Sequence, residues 1–348
     1  MEDRVVSSVL DYKIPIILGV TGHRDIVESQ YADIEKLLTE KIGALADQYP
    51  HSPIKVMSPL ADGADRLVAR IAINLGLELV VPLPMTEQIY KTTFLGEKGS
   101  TKRQRTVDEF DELVKHASEL FVLPQLFPEA DIVDSADAQA CQFALLGAFM
   151  AKHCNILIAL YDGNSSEAVG GTSQIVNYRI SGHMNGLPLK IDCEQYEKID
   201  FVMPDNIFDT QHTGLLWHVT VARQSSPVSS TVSFKERDIE DSLKTVDYHE
   251  SLRKLHEFNQ DVESYQKQIL RASQAVSNLA ERESNLVNND CETGCLSKIR
   301  NIYIASDQLA VCYAREHHDY FTIFCVAVSG IVISEWLFSH EMNSVGSL

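Results

Sequence analysis

The first residues whose types and spacing suggest chemistry form a glycine-containing turn near the start of the chain. The turn consists of Gly19, Val20, Thr21, Gly22, His23 and Arg24. It lies between an apolar run and a helical pattern, where glycine lets the backbone approach a ligand and the helix start attracts anions. Thr21 and Arg24 can add hydrogen bonds to a phosphate. On spacing alone a structural turn is an equally good interpretation, because the motif is neither a P-loop nor a complete dinucleotide-binding fingerprint.

Two further loops of similar character follow later apolar runs. The second contains Asp62, Gly63, Ala64, Asp65 and Arg66. The third contains Asp162, Gly163, Gly170, Gly171 and Thr172. In an open parallel sheet, ligands bind beyond the carboxyl ends of the strands, where the strand order reverses. Three such loops predict a ligand-binding crevice more strongly than any one of them.

The elements that position these loops alternate between short β-branched runs and helical patterns. The predicted strands are Ile14–Val20, Ile54–Ser58, Glu78–Leu83, Leu120–Leu123, Ile156–Tyr161 and Leu215–Val221. The predicted helices are Val27–Gln48, Asp62–Leu75, Arg103–His116, Ser135–His153 and Thr172–Ser181. This alternation is typical of a parallel sheet with helices on both faces. We therefore predict a doubly wound α/β domain with a mainly parallel sheet over residues 12–225.

The chain after this domain has a different composition. Small, polar residues and a proline predict a linker at residues 226–244. Apolar positions then recur at gaps of four and three, at Phe258, Val262, Tyr265, Ile269, Ala272, Val276, Leu279 and Leu286. This heptad pattern favours coiled-coil-like packing over a single amphipathic helix. A second apolar series from Leu296 to Tyr313 then predicts a helical hairpin within residues 245–319.

The segment 320–338 has two interpretations. It begins with fifteen residues without a formal charge, Tyr320–Ser334, and at about 1.5 Å per residue these are too short for a bilayer core of ~30 Å. Trp336 and Phe338 can extend the span. A buried helix is the alternative, but the segment is apolar all round, which favours a transmembrane helix.

The overall charge restricts the classes of partner. The 348 residues include 30 Lys and Arg against 49 Asp and Glu, for a formal net charge of −19. Binding to nucleic-acid polymers needs a basic surface, so such partners are not expected. A small anion remains compatible with this charge, because one helix start and one arginine can bind it. Seven scattered cysteines lack the clusters of a disulfide scaffold or a zinc ribbon, which predicts reduced thiols in the cytoplasm and no metal site.

Four motifs together resemble the SLOG superfamily, which includes the SMF/DprA and LOG proteins. They are GVTGHR at 19–24, SPLADGADRLVA at 58–69, LPM at 83–85, and IALYDG with VGGT at 158–172. The resemblance implies a Rossmann-like fold that binds nucleotides or nucleotide-derived ligands. With the three loops, it implies a ligand crevice formed by Gly19, Thr21, Gly22, His23, Arg24, Asp62, Gly63, Ala64, Asp65, Arg66, Asp162, Gly163, Gly170, Gly171 and Thr172. Structural roles are the alternative, with Asp65 and Arg66 as a surface ion pair and His23 as a turn residue.

The resemblance also bears on catalysis. LOG-type phosphoribohydrolases have the pattern PGGxGTxxE, whose acidic residue helps to cleave an N-glycosidic bond. Aligning its Gly-Thr with Gly171 and Thr172 places Ala168 and Val169 at two glycine positions and Ile175 at the glutamate position. We therefore predict a binding site with no assigned catalytic residue rather than that hydrolase.

SLOG domains joined to helical and membrane-spanning segments resemble sensor-effectors of bacterial anti-phage or conflict systems. We predict a sensor of a nucleotide-derived second messenger, with a cytoplasmic N-terminal domain, homo-oligomerisation and a membrane anchor at 320–338, and with no further cofactor. One alternative is a LOG-like N-glycosidase of nucleotides or nucleoside phosphates. Another alternative is an oligomeric scaffold with a vestigial pocket.

Overall fold

A seven-stranded sheet lies in the larger of two compact units of the computed structural model. The structure describes residues 12–166, 168–182, 214–225, 231–239, 248–273, 301–310 and 312. The strands are β1 (Ile16–Gly22), β2 (Ile54–Met57), β3 (Glu78–Leu83), β4 (Ala117–Val122), β5 (Ile156–Tyr161), β6 (Gly214–Thr220) and β7 (Ser233–Ile239). Their order across the sheet is β4-β3-β2-β1-β5-β6-β7. Of these strands, only β7 runs antiparallel to its neighbour.

Seven helices accompany the described strands of this unit. They are α1 (Tyr31–Gln48), α2 (Ala64–Asn74), α3 (Glu87–Thr92), α4 (Thr101–Val114), α5 (Glu129–Asp134), α6 (Ala136–His153) and α7 (Thr172–Ser181). A short 3₁₀ turn at Glu28–Gln30 precedes α1. The predicted α/β class is confirmed, with a mainly parallel, Rossmann-like sheet flanked by helices. The bounds of β3, β5 and α7 match the prediction, whereas α3 and α5 were not predicted.

Burial explains why the parallel strands were recognisable in the sequence. All residues of β5 from Ile156 to Leu160 are buried, as expected when helices cover both faces of a strand. The edge strand β4 instead exposes every second residue, including Leu120 and Val122. A central strand such as β5 therefore has a continuous apolar run, whereas the edge strand β4 alternates in burial.

The strand order reverses at β1. The chain proceeds from β1 through β2 and β3 to β4, and then returns to the other side of β1 with β5. The ends of β1 and β5 are neighbours, since Gly22 is in register with Leu160. The loops that follow these two parallel strands therefore open at the same edge of the sheet. This is the switch point at which open α/β sheets bind ligands.

The strand β7 lies within residues 226–244, where we expected a linker. It pairs with β6 along its whole length, from Thr220 with Ser233 to Gly214 with Ile239. The Trp217 indole N–H donates a hydrogen bond of 2.7 Å to Glu236. Only Phe234 and Ile239 of this strand are apolar, which suits a charged edge strand and leaves no strand pattern in the sequence.

The smaller unit comprises residues 1–14, 50–53 and 253–348. The helix α8 (Tyr248–Ser264) leads into it, and residues 266–273 and 301–310 are also helical. Its described core consists of Tyr12, Val262, Ile269, Ala305 and Leu309. Val262 and Ile269 are predicted heptad positions, and Ala305 and Leu309 belong to the second predicted helix. Residues of the two predicted hairpin helices therefore pack together. The last three predicted heptad positions, Val276, Leu279 and Leu286, lie outside the described residues.

One buried amide organises the start of the smaller unit. The side chain of Asn259 accepts a hydrogen bond of 2.8 Å from the Ile14 amide and donates to the Ile14 carbonyl oxygen. It also donates to the Ser52 hydroxyl at 3.0 Å. Three separate stretches of the chain are thereby joined through fully satisfied polar groups.

The predicted transmembrane segment, 320–338, lies outside the described residues. Among the helices that the structure describes, none combines the length and the apolar character needed to cross a bilayer.

A buried arginine holds the loop between β2 and α2. The Arg66 side chain donates from Nε to the Leu60 carbonyl oxygen at 3.0 Å. Its Nη1 lies 3.2 Å from an oxygen of Asp62 and 3.0 Å from an oxygen of Glu109 on α4. Leu60 has a φ of 59°, a left-handed conformation that no other described non-glycine residue adopts. Arg66 therefore stabilises an otherwise unfavourable loop and balances the charge of a buried aspartate.

We expect Arg66→Leu to destabilise the protein by about 3–5 kcal/mol, because it leaves the Asp62 carboxylate buried without its counter-charge. Arg70→Leu is the control, since Arg70 also pairs with Glu109 but lies at the surface, where a pair contributes about 0–1 kcal/mol. Urea unfolding of both variants measures the difference. Equal losses in the two variants would show that the buried network has no special role.

Candidate functional site

A cleft of about 650 Å³ opens where the strand order reverses. It has the size of a small-molecule site. Nine residues from the predicted loops line it, namely Thr21, Gly22, His23, Arg24, Asp65, Asp162, Gly170, Gly171 and Thr172. All three predicted loops therefore contribute to one cavity.

His23 joins the three loops. Its amide donates to the Leu160 carbonyl oxygen at 2.9 Å, and its own carbonyl oxygen accepts from the Ala64 amide at 3.1 Å. The ring Nε2 accepts a hydrogen bond of 3.1 Å from the Asp162 amide. Burial, followed by the charge of Arg223, lowers the pKa of His23 despite its hydrogen bond to Asp162. A neutral ring with the proton on Nδ1 satisfies this arrangement.

Two glycines allow the loop after β1 to rest on its neighbours. At Gly63, which has a φ of 78°, a Cβ would lie 2.5 Å from the Arg24 carbonyl oxygen and 2.6 Å from that of His23. At Gly22 a Cβ would lie 2.7 Å from the Leu160 carbonyl oxygen and would also meet the Ala64 side chain. Any other residue at either position would push the loops apart.

The start of α7 forms another wall. Gly170 has a φ of 72°, and a Cβ there would lie 2.6 Å from that of Phe143 on α6. The Gly170 amide donates to the side chain of Gln174 at 2.6 Å. Gly171 and Thr172, at the first turn of α7, line the cleft. The positive end of this helix dipole therefore faces the cavity.

One wall of the cleft contains a buried carboxyl group, Asp65, and a half-buried guanidinium group, Arg24. Asp65 is buried, and its Oδ2 accepts a hydrogen bond of 3.2 Å from the Ala61 amide. Burial raises the pKa of Asp65 to about 7, although Arg24 and Arg66 oppose that shift. Arg24 donates to the Thr93 carbonyl oxygen at 3.0 Å and lies over the Phe143 ring. Asp65 can therefore exchange a proton near neutral pH.

Six predicted site residues do not line the cleft: Gly19, Asp62, Gly63, Ala64, Arg66 and Gly163. Gly19 packs against Cys154, and Gly163 is next to His218. Asp62 and Arg66 form the buried ion pair described above, which differs from the surface pair of Asp65 with Arg66 that we considered. Binding by the fifteen predicted residues remains a prediction.

Several lining residues were missed by the sequence analysis. They include Asp25, Tyr90, Phe143, Leu146, Gly147, Met150 and Arg223. Arg223 follows β6, so the rule that selects the ends of parallel strands would have found it. The others come mainly from α3 and α6, where an apolar or aromatic residue gives no sign of facing a cavity.

The position aligned with the LOG glutamate is packed against α6. Ile175 is buried, and its side chain occupies the space that a Cβ at Gly147 would need. Ile175 also lines the cleft, so the position aligned with that glutamate presents an apolar side chain to the cavity. Within the described ranges, the structure contains no cluster of three or more metal-binding side chains.

The raised pKa of Asp65 makes stability depend on pH. Between the ordinary value of 3.8 and about 7, the folded protein binds a proton that the unfolded chain does not. This contribution to stability is lost as the pH rises through 7. We therefore expect Asp65→Asn to stabilise the protein relative to wild type more strongly at pH 8 than at pH 5. The two stabilisations, measured by urea unfolding, should differ by more than about 1 kcal/mol.

Asp137→Asn is the control for this pH effect, because Asp137 is exposed in the first turn of α6. Its effect on stability is expected to be the same at both pH values. A pH-independent effect of Asp65→Asn would contradict the assigned environment of that carboxyl group.

Comparisons with family models, with curated proteins and with solved structures found no match to this chain. The resemblance to the SLOG superfamily therefore rests on the four sequence motifs.

Proposed function

We propose that the cleft binds a nucleotide-derived messenger and that the protein is a sensor. The observation that carries this proposal is the convergence of three strand-end loops and one helix start on a single cavity at the switch point. The motif resemblance to SLOG domains points to the same class of ligand.

Two positive groups suit the anionic part of such a ligand. Arg24 and Arg223 both line the cleft, as do Gly171 and Thr172 at the start of α7. Arg223 forms an ion pair of 3.0 Å with Asp25, so a phosphate would compete with that carboxylate. Ligand binding and the Arg223–Asp25 contact are therefore linked in the proposed mechanism.

The Arg223–Asp25 contact can transmit a structural change from the cleft to the rest of the chain. The Gln224 amide donates to the Asp25 carbonyl oxygen at 2.7 Å, and the Ser225 hydroxyl donates to the Asp25 carboxylate at 2.5 Å. The loop after β6 is thus attached to the loop after β1, and the chain continues from it to β7 and the helical region. In our proposal a ligand that displaces Asp25 changes this loop. The change then passes to the helical hairpin, to homo-oligomer packing and to a membrane segment at 320–338, as in bacterial conflict defence.

Isothermal titration calorimetry with AMP, cyclic AMP and ADP-ribose tests the proposal. We expect binding by the wild type and about tenfold weaker binding by Arg24→Gln and by Arg223→Gln, since each loses a charged hydrogen bond. Arg105→Gln, on the exposed side of α4, should bind like wild type. Absence of binding to the folded protein, or equal binding by all variants, would overturn the proposal.

A second function is favoured by one observation, the buried Asp65 with a pKa of about 7 in the wall of the cleft. A carboxyl group with this pKa suits general acid–base catalysis at neutral pH, and can activate water to cleave an N-glycosidic bond. Ile175 does not supply the acidic residue of the LOG pattern, so Asp65 would have to replace it.

Incubation with AMP, followed by chromatography of free adenine, distinguishes this function from binding alone. The N-glycosidase predicts adenine release by the wild type, at least a hundredfold slower release by Asp65→Asn, and normal release by the control Asp137→Asn. Binding without adenine release would support the sensor and eliminate the N-glycosidase.

A further inference from the structure

A tyrosine hydroxyl is buried without a partner in the wall of the cleft. Tyr90 lies on α3 and is fully buried, yet it contributes to the cleft lining. Among the described residues, none forms a hydrogen bond with its Oη. Buried polar groups are nearly always paired, so an unpaired one at a cavity marks a place where a ligand completes the bonding.

The ring of Tyr90 cannot easily turn this hydroxyl elsewhere. Its centroid lies 5.1 Å from that of Phe94 and 6.0 Å from that of Phe110, both with edge-to-face geometry. The ring of Phe143 lies 6.2 Å away. Three aromatic neighbours therefore fix the direction of the hydroxyl before any ligand binds.

The charged groups near this hydroxyl decide which ligand chemistry fits. Asp65, Asp62, Arg24 and Arg66 all act electrostatically on Tyr90. Arg66 is engaged by Asp62 and Glu109, and Arg24 donates to the Thr93 carbonyl oxygen. Asp65 lines the cleft and accepts a hydrogen bond from the Ala61 amide, and in its ionised form it would repel a phosphate.

A neutral hydroxyl group of a ligand matches the hydrogen-bonding capacity of the Tyr90 and Asp65 side chains. The Tyr90 Oη–H can donate one hydrogen bond, and the Asp65 carboxyl group can accept one. A sugar hydroxyl accepts the first and donates the second, and it carries no charge for Asp65 to repel. An ionised phosphate oxygen can only accept, so it cannot bond to the ionised form of Asp65.

We infer that Tyr90 and Asp65 form a subsite for a ribose hydroxyl of the ligand, and that Tyr90 is a specificity-determining residue. The inference rests on the proposed binding of a nucleotide-derived ligand. It orients that ligand, with the sugar at Tyr90 and Asp65 and the phosphate at the start of α7. Tyr90 would then distinguish a ribonucleotide from its deoxy analogues.

The test compares AMP with 2′-deoxyAMP and 3′-deoxyAMP by calorimetry on the full chain. We expect at least one deoxy analogue to bind the wild type about tenfold more weakly than AMP. Tyr90→Phe removes only the hydroxyl, so this variant should bind AMP about tenfold more weakly than the wild type does. Its affinity for that deoxy analogue should equal the affinity of the wild type. Tyr161→Phe is the control, because Tyr161 packs on His218 and does not line the cleft.

Stability supplies a readout that needs no ligand. If the buried hydroxyl is unpaired, Tyr90→Phe should leave the unfolding equilibrium unchanged or shift it towards the folded state. A tenfold or larger shift towards the unfolded state in Tyr90→Phe would mean that the hydroxyl is already bonded within the protein, which overturns the subsite.

The outcomes separate this inference from the proposed function. If AMP binds but Tyr90→Phe weakens AMP and both deoxy analogues equally, the subsite is wrong and the binding function stands. If the folded wild type binds none of AMP, cyclic AMP and ADP-ribose, the function fails and the subsite fails with it.

Discussion

The backbone contact between the loops after β1 and β2 determines whether the cleft exists. Gly63 and Gly22 have no room for a Cβ, because the carbonyl oxygens of His23, Arg24 and Leu160 lie where one would be. The hydrogen bonds of His23 then connect the loop after β5. Since these bonds form within the protein, the cleft is shaped before a ligand arrives, and little binding energy is spent on ordering loops.

Two buried aspartates, one just before α2 and one in its first turn, are in opposite electrostatic situations. An oxygen of Asp62 lies 3.2 Å from the Arg66 guanidinium group, which its other contacts hold in place. The charge of the Asp62 carboxylate is therefore balanced. Asp65 receives an amide hydrogen bond, but burial still raises its pKa to about 7. A protein designed only for stability would not bury the second carboxyl group. Its position in the cleft wall agrees with the proposed functions, because strongly shifted pKa values concentrate at functional sites.

The predictable part of the structure is the part in which local pattern and tertiary environment agree. Strands covered on both faces, such as β5, have continuous apolar runs, and the turns after them are rich in glycine. The sheet, its class and the three loops followed from these signals. The strand β7 did not, because its sequence SFKERDI is mostly polar and it is a strand only through its pairing with β6.

The cleft was predictable only where strand ends contribute to it. Tyr90 belongs to a six-residue helix without a clear period, and its aromatic neighbours make it resemble an ordinary core residue. What separates Tyr90 from an ordinary core tyrosine is its place in the cleft wall and the hydrogen bond that its hydroxyl lacks among the described residues. Arg66 is the reverse case, since this motif arginine, predicted to bind the ligand, is enclosed by Asp62, Glu109 and the Leu60 carbonyl oxygen.

The net charge of −19 has a consequence for how such a cleft can select its ligand. At physiological ionic strength, charges are screened over about 8 Å, so the acidic surface neither attracts an anion nor strongly blocks it at contact distance. Affinity must then come from short-range contacts within the cavity. In the proposed function, Arg24, Arg223 and the start of α7 would contact a phosphate, but Asp25, Asp65 and Asp162 line the same cavity. A bare phosphate therefore gains little, whereas a ligand that adds neutral hydrogen-bonding groups to its phosphate can satisfy both sets of side chains.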